Sequence, residues 1–258
     1  MNRTGVRVQF PGVQGHQLAA RLDMPAQPPL AYAVFAHCFT CSKDVRAATF
    51  ISAALVDQGL AVLRFDFTGL GSSQGEFANT NFSSNVGDLV AAADFLRREH
   101  RAPQLLVGHS LGGAAVIAAS PHVPEAVAVA TVGAPFEPAH VLHQIGEATA
   151  EIEARGEAEV VLAGRPFRIQ KQFLDDVSGQ RLDNILAHLG KALLVFHAPL
   201  DDTVDVSNAA RIFTAAKHPK SFVSLDDADH LLSRKEDAQY VGNVLGAWAR
   251  RYLRPVAG

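Results

Sequence analysis

Leu105-Leu106-Val107-Gly108-His109-Ser110-Leu111-Gly112-Gly113 is the stretch on which the reading of this chain turns. Its apolar run ends in Gly-x-Ser-x-Gly and passes straight into Ala114-Ala115-Val116-Ile117-Ala118-Ala119, a good helix former. A strand that turns directly into a helix through a serine is the context of a nucleophile elbow. The turn is so sharp that side chains at 108 and 112 would collide with the strand and the helix, which gives both glycines a physical task. Ser110 then stands at the top of a sheet with its hydroxyl exposed and a helix N-terminus behind it.

The surrounding sequence suits such a sheet. Short apolar strands at 31–36, 60–65, 127–133 and 192–197 alternate with helices at 45–58, 85–98, 206–216 and 237–252, and a strand at 221–225 precedes the last helix. In the 85–98 helix Val86, Leu89, Val90, Ala93 and Leu96 form an apolar stripe at helical spacing. Alternation of this kind implies an α/β fold with a mainly parallel sheet covered by helices on both faces. Residues 6–10 and 17–23 read as an antiparallel hairpin at the sheet edge. The rhythm breaks between Pro135 and Lys191, with a helical stretch around 139–155 and a small hairpin at 160–169. We expect a cap insertion at about 137–190 within a single domain spanning 1–258.

Composition narrows the class. The chain has 258 residues, of which 48% are hydrophobic and 19% charged, enough for one substantial core. With a net charge of −3 and no basic tract, nucleic acid is not an expected partner. The N-terminus lacks the apolar core of a signal peptide, and no apolar run approaches the roughly 20 residues of a membrane span. Two cysteines do not make a secreted disulfide framework. The expectation is a cytoplasmic protein with no membrane partner, its oligomeric state open and a homo-oligomer included.

Acyl transfer by a serine needs a general base, an acid to orient that base and donors for the oxyanion. Downstream of Ser110 the chain supplies an acid and then a histidine. The loop after 192–197 reads Ala198-Pro199-Leu200-Asp201-Asp202-Thr203-Val204, where two adjacent aspartates compete and only one can face the base. The loop after 221–225 carries His230, the one histidine of eleven in the last-strand loop. Asp227 and Asp229 beside it read as solvated, and no second histidine or cysteine lies at metal-ligand spacing. One oxyanion donor is the N–H of Leu111, next after the serine. The other belongs to the loop His37-Cys38-Phe39-Thr40-Cys41-Ser42-Lys43-Asp44. Asp66 reads as holding the glycine turn that follows it. His37, His109 and His197 read as packing and hydrogen-bonding residues around the site. His37 and His109, with Phe136, Phe167 and Phe173 beside Phe39, are the candidate lining of a modest apolar substrate pocket.

The elbow, Arg64-Phe65-Asp66-Phe67-Thr68-Gly69-Leu70-Gly71-Ser72-Ser73 and the two downstream loops resemble serine hydrolases of the α/β-hydrolase fold, over almost the whole chain. The segments 37–44, 77–85 and Gly133-Ala134-Pro135-Phe136 look like the hydrolase half of bacterial proteins fused to an OsmC-like domain. That domain does not follow Pro255-Val256-Ala257-Gly258, so the chain reads as a free-standing relative or an excised domain. The resemblance implies a serine esterase acting on small, short-chain carboxylic esters with water, and no metal or organic cofactor. Its His-Gly-x-x-Asp-x-x-Val pattern falls on Asp201, leaving Asp202 to the turn. Its His-Gly-x pattern assigns the second oxyanion donor to Phe39, although Cys38 stands where the glycine belongs.

Two other classes compete with this reading. Cys38-Phe39-Thr40-Cys41 is a CxxC after a strand, which a thiol redox protein would offer. We expect instead that the two thiols pack. A disulfide between them would twist the loop, re-aim the Phe39 N–H and slow turnover. A non-catalytic binding module has no need of serine, acid and histidine together. Among enzymes, amide or peptide hydrolysis and acyl transfer are the alternatives. An aminopeptidase would need carboxylates at the site, for which Glu147, Glu151 and Glu153 are available but fit a solvated helix face better.

Overall fold

Small and β-branched residues crowd the central strands, and every residue of the five strands nearest the elbow is buried. The computed structural model describes residues 4–162 and 164–254. The first three residues of the N-terminal stretch read against a signal peptide, Ala163 of the expected 160–169 hairpin, and residues 255–258 lie outside the described residues. Strands β1 (Thr4–Pro11) and β2 (Gln17–Met24) form the antiparallel edge hairpin. After β3 (Ala31–Ala36) come helix α1 (Arg46–Asp57) and strand β4 (Leu60–Phe65). Helix α2 (Phe82–Glu99) leads to β5 (Leu105–His109), which runs into α3 (Leu111–Ala119) and on to β6 (Ala128–Val132). Helix α2 starts three residues before the expected 85–98 because Asn81 caps it. The Asn81 side chain accepts from the Ser84 N–H at 2.8 Å, and the Ser84 hydroxyl accepts from the Asn81 N–H at 2.9 Å.

The interval after β6 holds α4 (Leu142–Ile145), α5 (Ala148–Arg155), β7 (Glu157–Leu162), β8 (Arg165–Gln170), α6 (Lys171–Gly179) and α7 (Asp183–Ala187). The helix expected over 139–155 is broken at Gly146, where the backbone turns to φ 59°. The hairpin pairs 157 with 170, wider than the expected 160–169. The chain then returns to the main sheet through β9 (Ala192–His197), α8 (Ser207–Ala215), β10 (Lys220–Ser224) and α9 (Lys235–Ala249).

The eight strands of the main sheet lie in the order β1-β2-β4-β3-β5-β6-β9-β10. All pairings from β4 to β10 are parallel, and only the β1–β2–β4 edge is antiparallel. Helices α1 and α9 bury Ile51, Leu55, Val241 and Leu245 against one face. Helices α2, α3 and α8 bury Leu89, Leu96, Val116 and Ile212 against the other. Because β3, β5, β9 and β10 are parallel, the loops that leave them emerge at one edge of the sheet. The interval between β6 and β9 packs on that edge. Its Gln172 amide donates to the Thr80 carbonyl at 2.9 Å, and its Asp176 accepts from the Ser83 N–H at 2.9 Å. No helix among the described residues is long and apolar enough to cross a membrane.

Candidate active site

The elbow leaves no room for side chains on either side of Ser110. A Cβ built on Gly108 would lie 2.1 Å from the Gly112 carbonyl oxygen, and one on Gly112 would lie 2.4 Å from the carbonyls of Ala36 and His37. Between them Ser110 sits at φ 55° and ψ −126°, a conformation that non-glycine residues adopt only when their surroundings impose it. Two bonds impose it here. The Ser110 N–H donates to the Val132 carbonyl at 2.8 Å, and its own carbonyl accepts from the Gly113 N–H at 2.8 Å.

From this position the Ser110 hydroxyl donates to Nε2 of His230 at 3.0 Å, and Nδ1 of His230 donates to Oδ2 of Asp201 at 2.8 Å. Asp201 is fixed in turn. Its Oδ1 accepts from the N–H groups of Thr203, at 3.0 Å, and Val204, at 2.8 Å. Burial pushes the Asp201 carboxyl upward, but the hydrogen bonds from His230 and these two N–H groups outweigh it, and its pKa lies below the ordinary carboxylate value. Asp202 points to the surface, where it accepts from the Thr203 hydroxyl at 3.1 Å. Asp227 and Asp229 are exposed. Among the described residues no group of three or more His, Cys, Asp or Glu side chains is placed to hold a metal.

Three further histidines lie under this chain of bonds. The Nε2 of His109 donates to the His230 carbonyl at 2.7 Å, and that of His197 donates to the Val204 carbonyl at 2.7 Å. The Nδ1 of His37 donates to the Cys38 carbonyl at 2.8 Å. In each ring the other nitrogen has no partner. Burial holds all three pKa values below the ordinary histidine value, that of His109 at about 4, so the rings are neutral near pH 7. The expectation that His109 lines a pocket is thereby corrected. It is fully buried behind His230, where the β5 strand end leaves it no open side.

The loop after β3 is tied down at many points. The Asp66 carboxylate accepts from the Lys43 N–H at 2.6 Å and the Lys43 ammonium at 2.7 Å, besides the Ser72 N–H of the glycine turn at 2.9 Å. Asp66 therefore anchors two loops rather than the one the sequence pointed to. Buried Arg64 donates to the Lys43 carbonyl and pairs with Asp23 at 2.9 Å. Cys38 takes the place of a glycine without a positive φ; that conformation falls on Thr40, at φ 59°. The expectation that the thiols merely pack is overturned, because Cys38 and Cys41 are joined in a disulfide. Among the described residues no backbone carbonyl accepts from the N–H of Phe39 or of Leu111. Both residues border a small cavity of about 10 Å³ that His37, Phe67 and Leu70 help to line.

The expected aromatic lining is partly closed off. Phe173, on α6, is buried and stacks on Phe39 at 5.4 Å. Phe167 meets Phe77 edge-on at 4.9 Å, and Phe77, outside the expected lining, meets Phe39 at 5.7 Å. Phe136 is half-buried under the Arg211 guanidinium. Glu147, Glu151 and Glu153 are exposed, with Glu151 paired to Arg155 at 2.8 Å.

Comparison with known proteins adds to this geometry. The family model described as Serine aminopeptidase, S33 (Hydrolase_4) matches residues 27–156. The crystal structure of the esterase domain of a Rhodothermus marinus protein is 54% identical, with 98% of this chain and 100% of that one covered and a TM-score of 0.81. Est1E of Butyrivibrio proteoclasticus, solved with ferulic acid bound, has a TM-score of 0.79 over 95% of this chain and 99% of its own. At 18% identity that likeness speaks to the fold alone. The mitochondrial palmitoyl-protein thioesterase ABHD10 of Rattus norvegicus is 30% identical over 149 residues, 53% of this chain. The matched stretch spans 49% of that protein, about half its length. The main sheet and its helices are those of the α/β-hydrolase fold.

Proposed function

The chain belongs to the Hydrolase_4 family of α/β-fold hydrolases, and from that premise we propose that it is a serine esterase cleaving small carboxylic esters through an acyl-enzyme on Ser110. The observation that carries the reading is the unbroken run of hydrogen bonds from the Ser110 hydroxyl through His230 to Asp201.

In this reading His230 takes the Ser110 proton as Oγ attacks the ester carbonyl, and Asp201 steadies the imidazolium that forms. The N–H groups of Phe39 and Leu111, which no backbone carbonyl occupies among the described residues, stabilise the tetrahedral oxyanion. His230 then returns the proton to the departing alcohol, and water repeats the sequence on the acyl-enzyme. Phe39 itself is buried and stacked against buried Phe173, so aromatic rings crowd the space beside one of the two donors, which supports short acyl groups. An aminopeptidase reading lacks support, since the cap glutamates are turned to solvent. The resemblance to the hydrolase half of OsmC-like fusions fits this reading and adds nothing to the chemistry at Ser110.

The test is a panel of p-nitrophenyl esters from acetate to palmitate, with a palmitoyl thioester and a peptide p-nitroanilide alongside. We expect kcat/KM to be highest for the shortest acyl groups and to fall with length. A preference for palmitoyl substrates, or peptide cleavage faster than ester cleavage, would overturn the reading.

A further inference from the structure

The Cys38–Cys41 disulfide lies in the loop on which the proposed oxyanion stabilisation depends, yet the hydrolytic chemistry makes no use of it. Its position relative to one peptide unit is what matters. The Phe39 N–H and the Cys38 carbonyl belong to the same planar trans peptide and point in opposite directions. Whatever holds the carbonyl therefore aims the N–H. The carbonyl is held twice, by Nδ1 of His37 at 2.8 Å and by the Cys41 N–H at 3.1 Å. The second of these bonds closes the very turn that the disulfide staples, with the two Cα atoms 5.3 Å apart. Inside the turn Thr40 is kept at φ 59°, a conformation a β-branched residue leaves when it is free to.

We propose that Cys38 and Cys41 are a reversible dithiol–disulfide site that governs the adjacent hydrolase centre, the disulfide form being competent and the dithiol form impaired. The inference rests on the reading of Ser110 as nucleophile and the Phe39 N–H as an oxyanion donor. It reverses the sign expected from the sequence, because it is in the bridged loop that the Cys38 carbonyl is held twice and the Phe39 N–H meets no backbone carbonyl among the described residues.

The reductant is a dithiol. Cys41 is half-buried and Cys38 is buried, so the first thiolate of the dithiol attacks Sγ of Cys41. The sulfur–sulfur bond breaks, and Cys38 leaves as a thiolate. The dithiol's second thiolate then displaces Cys41 from the mixed disulfide. Two electrons pass to the cysteine pair, the dithiol departs as its own disulfide, and its two protons end on Cys38 and Cys41. Once unbridged, Thr40 relaxes, the Cys41-to-Cys38 bond opens and the Phe39 N–H swings off line.

The experiment compares the oxidised chain, the same chain reduced with dithiothreitol, and the chain reoxidised by a small-molecule disulfide that runs the exchange in reverse and leaves as two thiols, with thiols titrated in each state and p-nitrophenyl acetate as substrate. Reduction is expected to lower kcat at least about 10-fold, and up to 10²- to 10³-fold if the donor is lost altogether, with KM little changed and full recovery on reoxidation. Cys41→Ser should turn over at the reduced level with or without dithiothreitol. Equal kcat in the oxidised and reduced parent overturns the proposal, as does a Cys41→Ser that responds to dithiothreitol as the parent does. The rate at which a fluorophosphonate labels Ser110 in each form separates this inference from the ester reading. Labelling that tracks the redox state without ester turnover sinks the ester reading alone. Ester turnover indifferent to redox state sinks this one alone.

Discussion

At Asp201 both carboxylate oxygens are engaged, one by His230 and the other by two backbone N–H groups of the same loop. Its neighbour Asp202 accepts from the hydroxyl of Thr203 at the surface. On the proposed mechanism Asp201→Asn removes the charge that steadies the His230 imidazolium and presents an amide where Nδ1–H needs an acceptor. We expect kcat on p-nitrophenyl acetate to fall by about 10⁴-fold, as it does when a triad aspartate is replaced by asparagine elsewhere. Asp202→Asn should leave kcat near the parent value. Steady-state kinetics on both variants checks this, and a reversed ranking would move the acid to Asp202. The residue types at 201 and 202 are identical, so their chemistry could not separate them. The spacing to Val204 favoured Asp201, but which side chain faces the base depends on turn dihedrals that no residue pattern states. The same holds for Thr40, whose positive φ absorbs what a glycine at position 38 would otherwise do.

His37 follows β3, His109 closes β5 and His197 closes β9, so three neutral rings are packed beneath the strand ends that carry the site. In the unfolded chain these rings titrate near 6.5, whereas burial holds each lower in the folded one, His109 at about 4. Between those values the unfolded state binds more protons. The share of stability that these rings set is therefore complete above about pH 6.5 and falls as the pH drops towards 4, by about 3 kcal/mol for His109 alone. Thermal melts from pH 7.5 to 4.5 should show this decline, and His109→Gln, which keeps a donor for the His230 carbonyl, should make it shallower. A flat profile in the parent, or an equally steep one in the variant, would contradict the assignment. The elements themselves were largely legible. The elbow strand and helix, the apolar strands and the edge hairpin follow from hydrophobic runs and glycine positions. The ends of α2 and the break in the 139–155 helix were less so, because an Asn–Ser cap and a turn at Gly146 act against the local propensity.

Across the whole molecule, parallel strands do the work of convergence. Phe39, Ser110, Asp201 and His230 are far apart in the chain, yet each follows a parallel strand, so all four arrive at one sheet edge. That arrangement is the usual one for ligand sites in open α/β sheets, and it is why candidates each placed on a loop after an expected strand could be read as neighbours. The interval between β6 and β9 was legible only as a departure from the rhythm. Its contacts, such as Phe173 on Phe39 and Arg165 on the Thr40 carbonyl, join residues more than a hundred positions apart, and no local pattern encodes them. On the proposed mechanism Ser110 carries the acyl group. That step is tested most directly by mixing the oxidised chain with p-nitrophenyl acetate, quenching in acid on the millisecond scale and mapping the adduct by peptide mass spectrometry. An acetyl group on Ser110 should appear with a burst of p-nitrophenolate, with neither adduct nor turnover in Ser110→Ala. Turnover by a folded Ser110→Ala chain at close to the parent rate, or an acetyl group that accumulates on another residue of the parent, would contradict that mechanism.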